Sequence, residues 1–191
     1  MVFVAVLLLA LILGAIGIVS YGVSLYNSLV QVKHQVDQAW ANIDVLLKQR
    51  HDELPKLIDS VKGYMAHESS VLENVTALRT RAQTTNAGPE RISAEEALSQ
   101  GVATLMAVAE RYPQLRASEV FMDLQTRIAS LEQQIAHRRE FYNEAVNLNN
   151  VRMEQFPDML LTSYAGLVHR PLFESSEAER ADVDVGAGLS S

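Results

Sequence analysis

The apolar positions of this chain fall into one continuous run followed by periodic stripes. Residues Val2–Val19 are broken only by two glycines, and the first charged residue is Lys33. As a helix, this run spans about 27 Å, close to the roughly 30 Å hydrocarbon core of a bilayer, and the uncharged residues 20–26 can lengthen it. A cleaved signal peptide needs a positively charged start and a small-residue cleavage site, which are missing here. The run therefore predicts an uncleaved transmembrane anchor over residues 1–25.

Beyond the anchor, apolar residues recur at alternating spacings of three and four, the pattern of amphipathic helices that pack on one another. The first stripe continues directly from the anchor and predicts a helix that ends at Arg50. Residues 51–55 are interpreted as a turn in which Asp52 caps the next helix. The second stripe runs from Leu54 to Arg79 and predicts a long helix of about 30 residues.

The clearest linker is residues 84–92, which are rich in turn formers. Ser93 and Glu96 match a capping box, so a short helix is predicted to start there. Tyr112 and Pro113 are expected to end it.

The longest stripe predicts a helix over Phe121–Asn149, which Phe156-Pro157 stops, and a short amphipathic turn or helix follows over Met159–Leu167. No segment alternates as a strand would. The predicted fold is therefore all-α: an elongated antiparallel helical bundle, with coiled-coil-like packing, following an N-terminal transmembrane helix.

Composition and charge divide the chain in the same way. The chain is 48% hydrophobic, yet its mean hydropathy is only +0.03, because apolar side chains are concentrated in the anchor. Of the net charge of −7, residues 174–191 contribute −4, from five acids and one arginine. We predict that residues 175–191 form a disordered acidic tail. The near-neutral body argues against nucleic acid as a partner.

The distribution of basic residues predicts an orientation. No Lys or Arg precedes the apolar run, whereas Lys33, Lys48 and Arg50 follow it. Since cytoplasmic flanks carry the excess of positive charge, the N-terminus is expected outside and the bundle in the cytoplasm.

Several polar residues occupy core-type positions in the second and fourth predicted helices. If these helices are antiparallel, Glu68 can pair with Arg138 or Arg139. The pair would either fix helix register or belong to a binding surface for a partner or ligand. We call this set the candidate polar seam; its members are Glu68, Arg79, Arg138, Arg139, Tyr142 and Asn143.

The sequence contains no grouping that indicates catalysis or a cofactor. The absence of cysteine excludes disulfides, cysteine-ligated zinc, iron–sulfur clusters and a thiol nucleophile. His67-Glu68 begins like a zinc-protease motif but lacks the second histidine. We therefore predict neither a metal site nor an enzyme.

A series of short sequence motifs over residues 26–174 resembles the motifs of the LemA family. They are Tyr26-Asn27-Ser28-Leu29-Val30, Trp40, Ile43-Asp44, Leu47-Lys48-Gln49-Arg50, Pro55, Val61-Lys62-Gly63-Tyr64, His67-Glu68, Leu105-Met106-Ala107-Val108, Glu110, Tyr112-Pro113, Ala117, Ile135-Ala136, Arg138-Arg139, Tyr142-Asn143, Val146, Asn149, Phe156-Pro157 and Phe173-Glu174. The resemblance implies a single-pass membrane protein with a helical-bundle body and no established biochemical activity.

The expected function is that of a non-catalytic interaction or scaffold protein at the cytoplasmic membrane face. Its expected partners are the lipid bilayer and proteins that the sequence does not identify, and self-association stays open. The alternative is a ligand or ion sensor that uses the candidate polar seam.

Overall fold

The computed structural model describes residues 1–86 and 88–173, and every regular element within these ranges is helical. The prediction of an all-α, antiparallel bundle is confirmed, whereas the predicted tail over residues 175–191 lies outside the described residues. The α-helices are α1 (Val2–Lys62), α2 (Ser69–Thr84), α3 (Pro89–Ala109), α4 (Pro113–Arg116), α5 (Glu119–Glu154) and α6 (Thr162–Ala165). Two 3-10 turns, Ala66–Glu68 and Asp158–Leu160, precede α2 and α6.

Helix α1 is one uninterrupted helix of 61 residues, about 90 Å long. The predicted turn over residues 51–55 is wrong, because Pro55 lies inside this helix. The apolar stripe does not stop there: Leu54, Leu57 and Val61 are all buried on the same face. Packing of this continuous face outweighs the break that a proline favours.

The chain turns instead at Gly63–Met65, so the predicted 30-residue second helix is divided between α1 and α2. Met65 lies in the turn and is fully buried. The reversal lets Met65 and Leu72 enter the same core as Val61.

Helix α3 starts at Pro89, not at Ser93. Gly88, with φ of 144°, precedes it, and proline is favoured in a first helical turn because its missing N–H would be unpaired there. Ser93 lies within the helix, so the capping-box prediction of its start is wrong. The predicted linker is confirmed in shorter form between Thr84 and Pro89.

Helix α5 runs antiparallel to α1. Arg50 lies opposite Glu132, Trp40 opposite Tyr142, and Ser28 opposite Arg152. The Ser118 hydroxyl accepts a hydrogen bond from the Phe121 amide at 3.4 Å and caps α5. Helix α5 ends at Glu154, before Phe156-Pro157, as predicted.

Helices α2 and α3 form a hairpin that packs on the end of α1 farthest from the apolar run, which we call the distal end. Gly101 permits close contact between them, since a Cβ atom there would lie 2.7 Å from Leu78 Cδ1. Three buried clusters follow α1: a distal one that includes Leu57 and Phe121, a middle one around Ile43 and Tyr142, and a proximal one around Leu29.

The N-terminal third of α1 stands clear of the bundle. Residues 1–20 are exposed throughout, and the first buried side chain of the helix is Leu29. This segment is long and apolar enough to cross a membrane. No break separates it from the helix that enters the bundle, because α1 is continuous over both.

Candidate functional site

The main polar feature within the bundle is a buried cluster of charges between α1, α3 and α5. We call it the ionic centre, and its members are Arg50 and His51 of α1, Arg91, Glu95 and Ser99 of α3, and Glu132 of α5. Arg50 and Glu95 are both 0% exposed and His51 is 3% exposed. Such groups are retained in a core only when partners compensate for the lost hydration.

Arg50 contacts both other helices through its guanidinium. Its Nη2 donates to Glu95 Oε2 at 2.6 Å, and its Nη1 donates to Glu132 Oε1 at 2.8 Å and to Ser99 Oγ at 2.6 Å. The Ser99 hydroxyl in turn donates to Glu132 Oε2 at 3.0 Å. One side chain therefore ties α1 to α3 and α5 at a single level.

The second oxygen of Glu95 is also occupied. Arg91 Nε donates to Glu95 Oε1 at 2.6 Å, and His51 Nε2 lies 3.1 Å from the same atom. Burial by itself raises the pKa of Glu95, but the hydrogen bond from His51 and the charges of Arg50 and His51 outweigh it and lower the pKa from 4.5 to about 2. The carboxylate is therefore ionised at neutral pH.

The geometry around Glu95 in the ionic centre fits a structural role better than a role in acid–base catalysis. A general base must reach the proton that it removes, whereas Glu95 is sealed from solvent with both oxygens in hydrogen bonds. Its charge holds α3 to α1, and Arg50 extends this connection to α5.

The sequence interpretation missed Arg50 and Glu95 as candidates, although a signal was present. Arg50 continues the spacing of Ile43 and Leu47, and Glu95 lies between Ile92 and Leu98 on the buried face of α3. A charge inside an apolar stripe was the criterion that selected the candidate polar seam, and it also applies to these two.

The predicted pairing of Glu68 with Arg138 or Arg139 is wrong. Glu68 Oε1 instead lies 3.4 Å from Arg111 Nη2 and 3.5 Å from the Tyr112 hydroxyl, at the distal end. Since α1 does not turn until Gly63, Glu68 is carried far from the middle of α5.

Arg79 has a different role from the one predicted for it. Its Nε donates to the carbonyl oxygen of His51 at 2.9 Å. In a regular helix this carbonyl would accept from the amide of residue 55, but Pro55 has no N–H. Arg79 therefore supplies the hydrogen bond that the proline removes from α1.

Arg138 and Arg139 face different surroundings. Arg138 is exposed and lines a shallow groove of about 330 Å³ between α1 and α5. Arg139 is partly buried, with its guanidinium carbon 4.8 Å from the centre of the Phe173 ring. Burial, followed by the nearby charge of Arg50, lowers the pKa of Arg139.

Tyr142 and Asn143 hold the extended segment that follows α6. Phe173 packs between Trp40 and Tyr142, with ring centres 6.0 Å and 5.5 Å away. Asn143 accepts from the Phe173 amide at 2.8 Å and donates to its carbonyl oxygen at 2.9 Å. Burial raises the pKa of the Tyr142 hydroxyl.

Two more asparagines of α5 extend this contact along the segment. Asn149 Nδ2 donates to the Val168 carbonyl at 2.9 Å, and Asn150 exchanges hydrogen bonds with the Arg170 backbone at 3.1 and 3.2 Å. We call Asn143, Asn149 and Asn150 the asparagine clamp. The six residues of the predicted seam therefore do not form one surface.

Across residues 1–86 and 88–173, no three His, Asp or Glu side chains converge in a way that could hold a metal ion. The fold and the ionic centre define a class of protein: a helical bundle built on a long N-terminal helix, with an apolar, exposed first third and a sealed polar core. Residues 39–186 match the LemA family. Because this match covers more than half of the chain, the protein belongs to the LemA family.

Relatives with curated names agree with this assignment. Protein LemA of Metamycoplasma hominis is 28% identical over 161 residues, which cover 83% of this chain and 73% of that protein. Magnetosome protein MamQ 2 of Paramagnetospirillum magneticum is 22% identical, and magnetosome protein MamQ of Magnetospirillum gryphiswaldense is 20% identical. In both cases the match covers 80% of this chain and 66% of the relative. None of these names denotes an enzymatic activity.

Proposed function

We propose that this protein is a non-catalytic scaffold, anchored by α1 in the membrane with its bundle in the cytoplasm, where it holds partner proteins at a set distance from the bilayer. The observation that carries the proposal is the continuity of α1. One helix is both the apolar segment and the central element of the bundle. A helix without a hinge transmits position and orientation from the bilayer to the body.

The sealed ionic centre supports a structural over a catalytic role. Its strongest acid, Glu95, is paired on both oxygens and inaccessible to a substrate. The sensor alternative receives less support, because Glu68 and Arg79 have partners distant from Arg138 and Tyr142. The cytoplasmic orientation rests on Lys33, Lys48 and Arg50, which follow the apolar run.

The orientation can be tested with single cysteines, because the natural chain has none. Val2→Cys places a thiol at the exposed start of α1, and Val120→Cys places one at an exposed site at the distal end of the bundle. A membrane-impermeant maleimide added to intact cells should label Val2→Cys, and should label Val120→Cys only after permeabilisation. The reverse pattern would contradict the cytoplasmic placement while leaving the anchor intact.

The scaffold role can be tested by cross-linking the full chain in native membranes and identifying captured proteins by mass spectrometry. The matched control is Arg50→Met, which keeps the anchor but unbalances the ionic centre and should destabilise the bundle. A reproducible set captured by the natural chain, and captured less by Arg50→Met, supports the proposal. Equal capture by both chains, or none by either, contradicts it.

A further inference from the structure

The turn between α5 and α6 carries an unusual number of exposed apolar side chains. Phe156 is 74% exposed, Met159 50%, Leu160 60% and Tyr164 78%. These four residues lie within nine consecutive positions of the short segment that links α5 to α6, so their exposed side chains are concentrated in one small region of the molecule. A contiguous exposed apolar patch generally marks a protein or membrane contact.

The antiparallel packing brings this patch to the level where the apolar part of α1 ends. Arg152, near the end of α5, hydrogen-bonds Ser28. Beyond the turn, Ala165 and Leu167 pack against Leu29. The α5–α6 turn therefore lies beside α1 at about residues 24–29. Packed helices are separated by about 8–10 Å, so the headgroup layer at the end of an anchor that extends to residue 25 also meets this turn.

The exposed surface of α1 at this level has the same character. Tyr21 and Val23 are more than half exposed, and Tyr26 is 40% exposed. Residues 21–26 span about 7.5 Å along α1, so these side chains lie next to the level of the α5–α6 turn, where Phe156 and Tyr164 are also exposed. Tyrosine and other amphipathic aromatic residues are enriched at this depth of a bilayer, between the headgroups and the acyl chains.

The charged groups of the turn do not oppose insertion. Residues 155–164 contain one charged side chain, Asp158. It is 2% exposed, and its Oδ2 lies 2.7 Å from Arg152 Nη1. The carboxylate that would resist contact with lipid is thus turned inward, while the apolar side chains on either side of it are turned outward.

We propose that the α5–α6 turn is a second membrane contact, in which Phe156, Met159, Leu160 and Tyr164 enter the boundary between lipid headgroups and acyl chains beside the anchor. The contact fixes the bundle against the membrane surface at two points, so that rotation and tilt about α1 are restricted. This inference rests on membrane anchoring by α1, and on neither the orientation nor the scaffold role proposed above.

Spin labels on single cysteines can measure this contact in the full chain reconstituted in phosphatidylcholine–phosphatidylglycerol vesicles. The test positions are Phe156→Cys, Leu160→Cys and Tyr164→Cys. Val120→Cys is the matched control, an exposed apolar site at the start of α5, and Ile12→Cys reports the anchor. For each label one measures collision with oxygen, which concentrates in lipid, and with a water-soluble nickel chelate.

The three turn labels should show an oxygen-to-nickel collision ratio several-fold above that of Val120→Cys and below that of Ile12→Cys. A ratio equal to that of Val120→Cys would place the turn in water and overturn the inference. Low collision with both reagents would indicate a protein partner or a second copy and would also overturn it. If the Ile12→Cys label itself shows the low ratio of a label in water, α1 does not insert in the bilayer, and the second contact is overturned together with the anchor. Unchanged helix content by circular dichroism verifies the fold of each variant.

Discussion

Arg50 and Glu95 illustrate how a charged pair can be retained in the core of a small bundle. Both are fully buried; Arg50 has partners on α3 and α5, and Glu95 has partners on α1 and on its own helix α3. Transfer of two ions from water costs several kcal/mol apiece, and good geometry returns about as much. The net stabilisation is therefore modest, but removing one partner alone leaves an uncompensated buried charge.

We expect Arg50→Met to lower the free energy of unfolding by about 3–5 kcal/mol, because Glu95 then lacks its main counter-charge. The double variant Arg50→Met/Glu95→Met should lose clearly less free energy of unfolding than Arg50→Met alone. Urea unfolding of the full chain in detergent, followed by circular dichroism, measures both. Arg127→Ala, which breaks an exposed pair with Asp123, is the control and should cost less than about 1 kcal/mol. A double variant as unstable as Arg50→Met would contradict this account.

Glu95 also predicts a dependence of stability on pH. Its pKa is about 2 in the folded protein against an ordinary 4.5, so the unfolded chain takes up a proton first as the pH falls. Stability from this group is complete above pH 4.5 and is lost between about pH 4.5 and 2. In Glu95→Gln, the urea midpoint should be lower at neutral pH and should fall less steeply over that window. Asp123→Asn should keep the slope of the natural chain; an unchanged slope in Glu95→Gln would show that other carboxyls dominate.

We expect the side chain of Asn143 to stabilise the extended segment after α6. Because its side chain makes two hydrogen bonds to the backbone of Phe173, Asn143→Leu should accelerate hydrogen exchange of the Phe173 amide by about tenfold or more. Asn147→Leu, an exposed substitution one turn along α5, should leave the exchange unchanged. Equal rates in both variants would mean that the Phe173 ring alone holds the segment.

At the scale of the helical elements, Pro55 is the position where local preference and tertiary packing conflict. A proline inside a helix removes one hydrogen bond and costs about 3 kcal/mol. In α1, Arg79 of α2 donates to the carbonyl of His51 that is left unpaired. The proline is thus compensated by a residue 24 positions later in the chain.

This compensation can be measured as a coupling between the two positions. Arg79→Met should lower the free energy of unfolding by about 1–3 kcal/mol, since it leaves a carbonyl unsatisfied. In a Pro55→Ala background, residue 55 supplies its own N–H, and the same substitution should cost less than half as much. Arg81→Met, exposed on the same helix, is the control. If Arg79→Met lowers the free energy of unfolding equally in both backgrounds, Arg79 does not compensate for the proline.

At the scale of the whole molecule, the length and continuity of α1 decide how the body sits relative to the membrane. The helix crosses from the exposed apolar segment into the bundle without a break. Side chains of α5 and α6 begin to pack on it at Ser28 and Leu29, which leaves no room for a flexible linker. The bundle and the apolar segment are therefore expected to move as one body.

Spin labels at Ile12→Cys and Val45→Cys, both exposed, should report this rigidity. They lie 33 residues apart on one helix, so their backbone separation is about 50 Å. Double electron–electron resonance on the reconstituted full chain should give one narrow distance distribution near that value. Insertion of four glycines after Tyr26 should broaden it severalfold. A broad distribution in the natural chain would indicate a hinge near the membrane.

Elements with long, regular stripes could be predicted from the sequence, whereas their ends depended on contacts distant in the chain. Helix α5 and its stop before Phe156-Pro157 follow from the 3-4 pattern and from proline chemistry. The end of α1 does not, because the bond that rescues Pro55 comes from Arg79. The start of α3 was predicted four residues late, because Pro89 begins the helix with no capping bond from a side chain.

The candidate site was less predictable than the fold. Core-type spacing drew attention to Glu68 and Arg138, but they lie at different levels of the bundle. Arg50 and Glu95 satisfied the same criterion and proved to be the central pair. Spacing identifies a charge that faces a core, but only the register between helices determines which charge it meets.

By itself, the sequence determined the all-α class, the apolar first third of α1 and the stripes that pair the helices, since these depend on periodicity within single segments. Only the tertiary structure decided that α1 passes through Pro55, that Arg50 meets Glu95, and that the α5–α6 turn returns beside Leu29. Each of these depends on contacts between residues more than 20 positions apart, and the free energy of such contacts exceeds the local preferences that sequence patterns record.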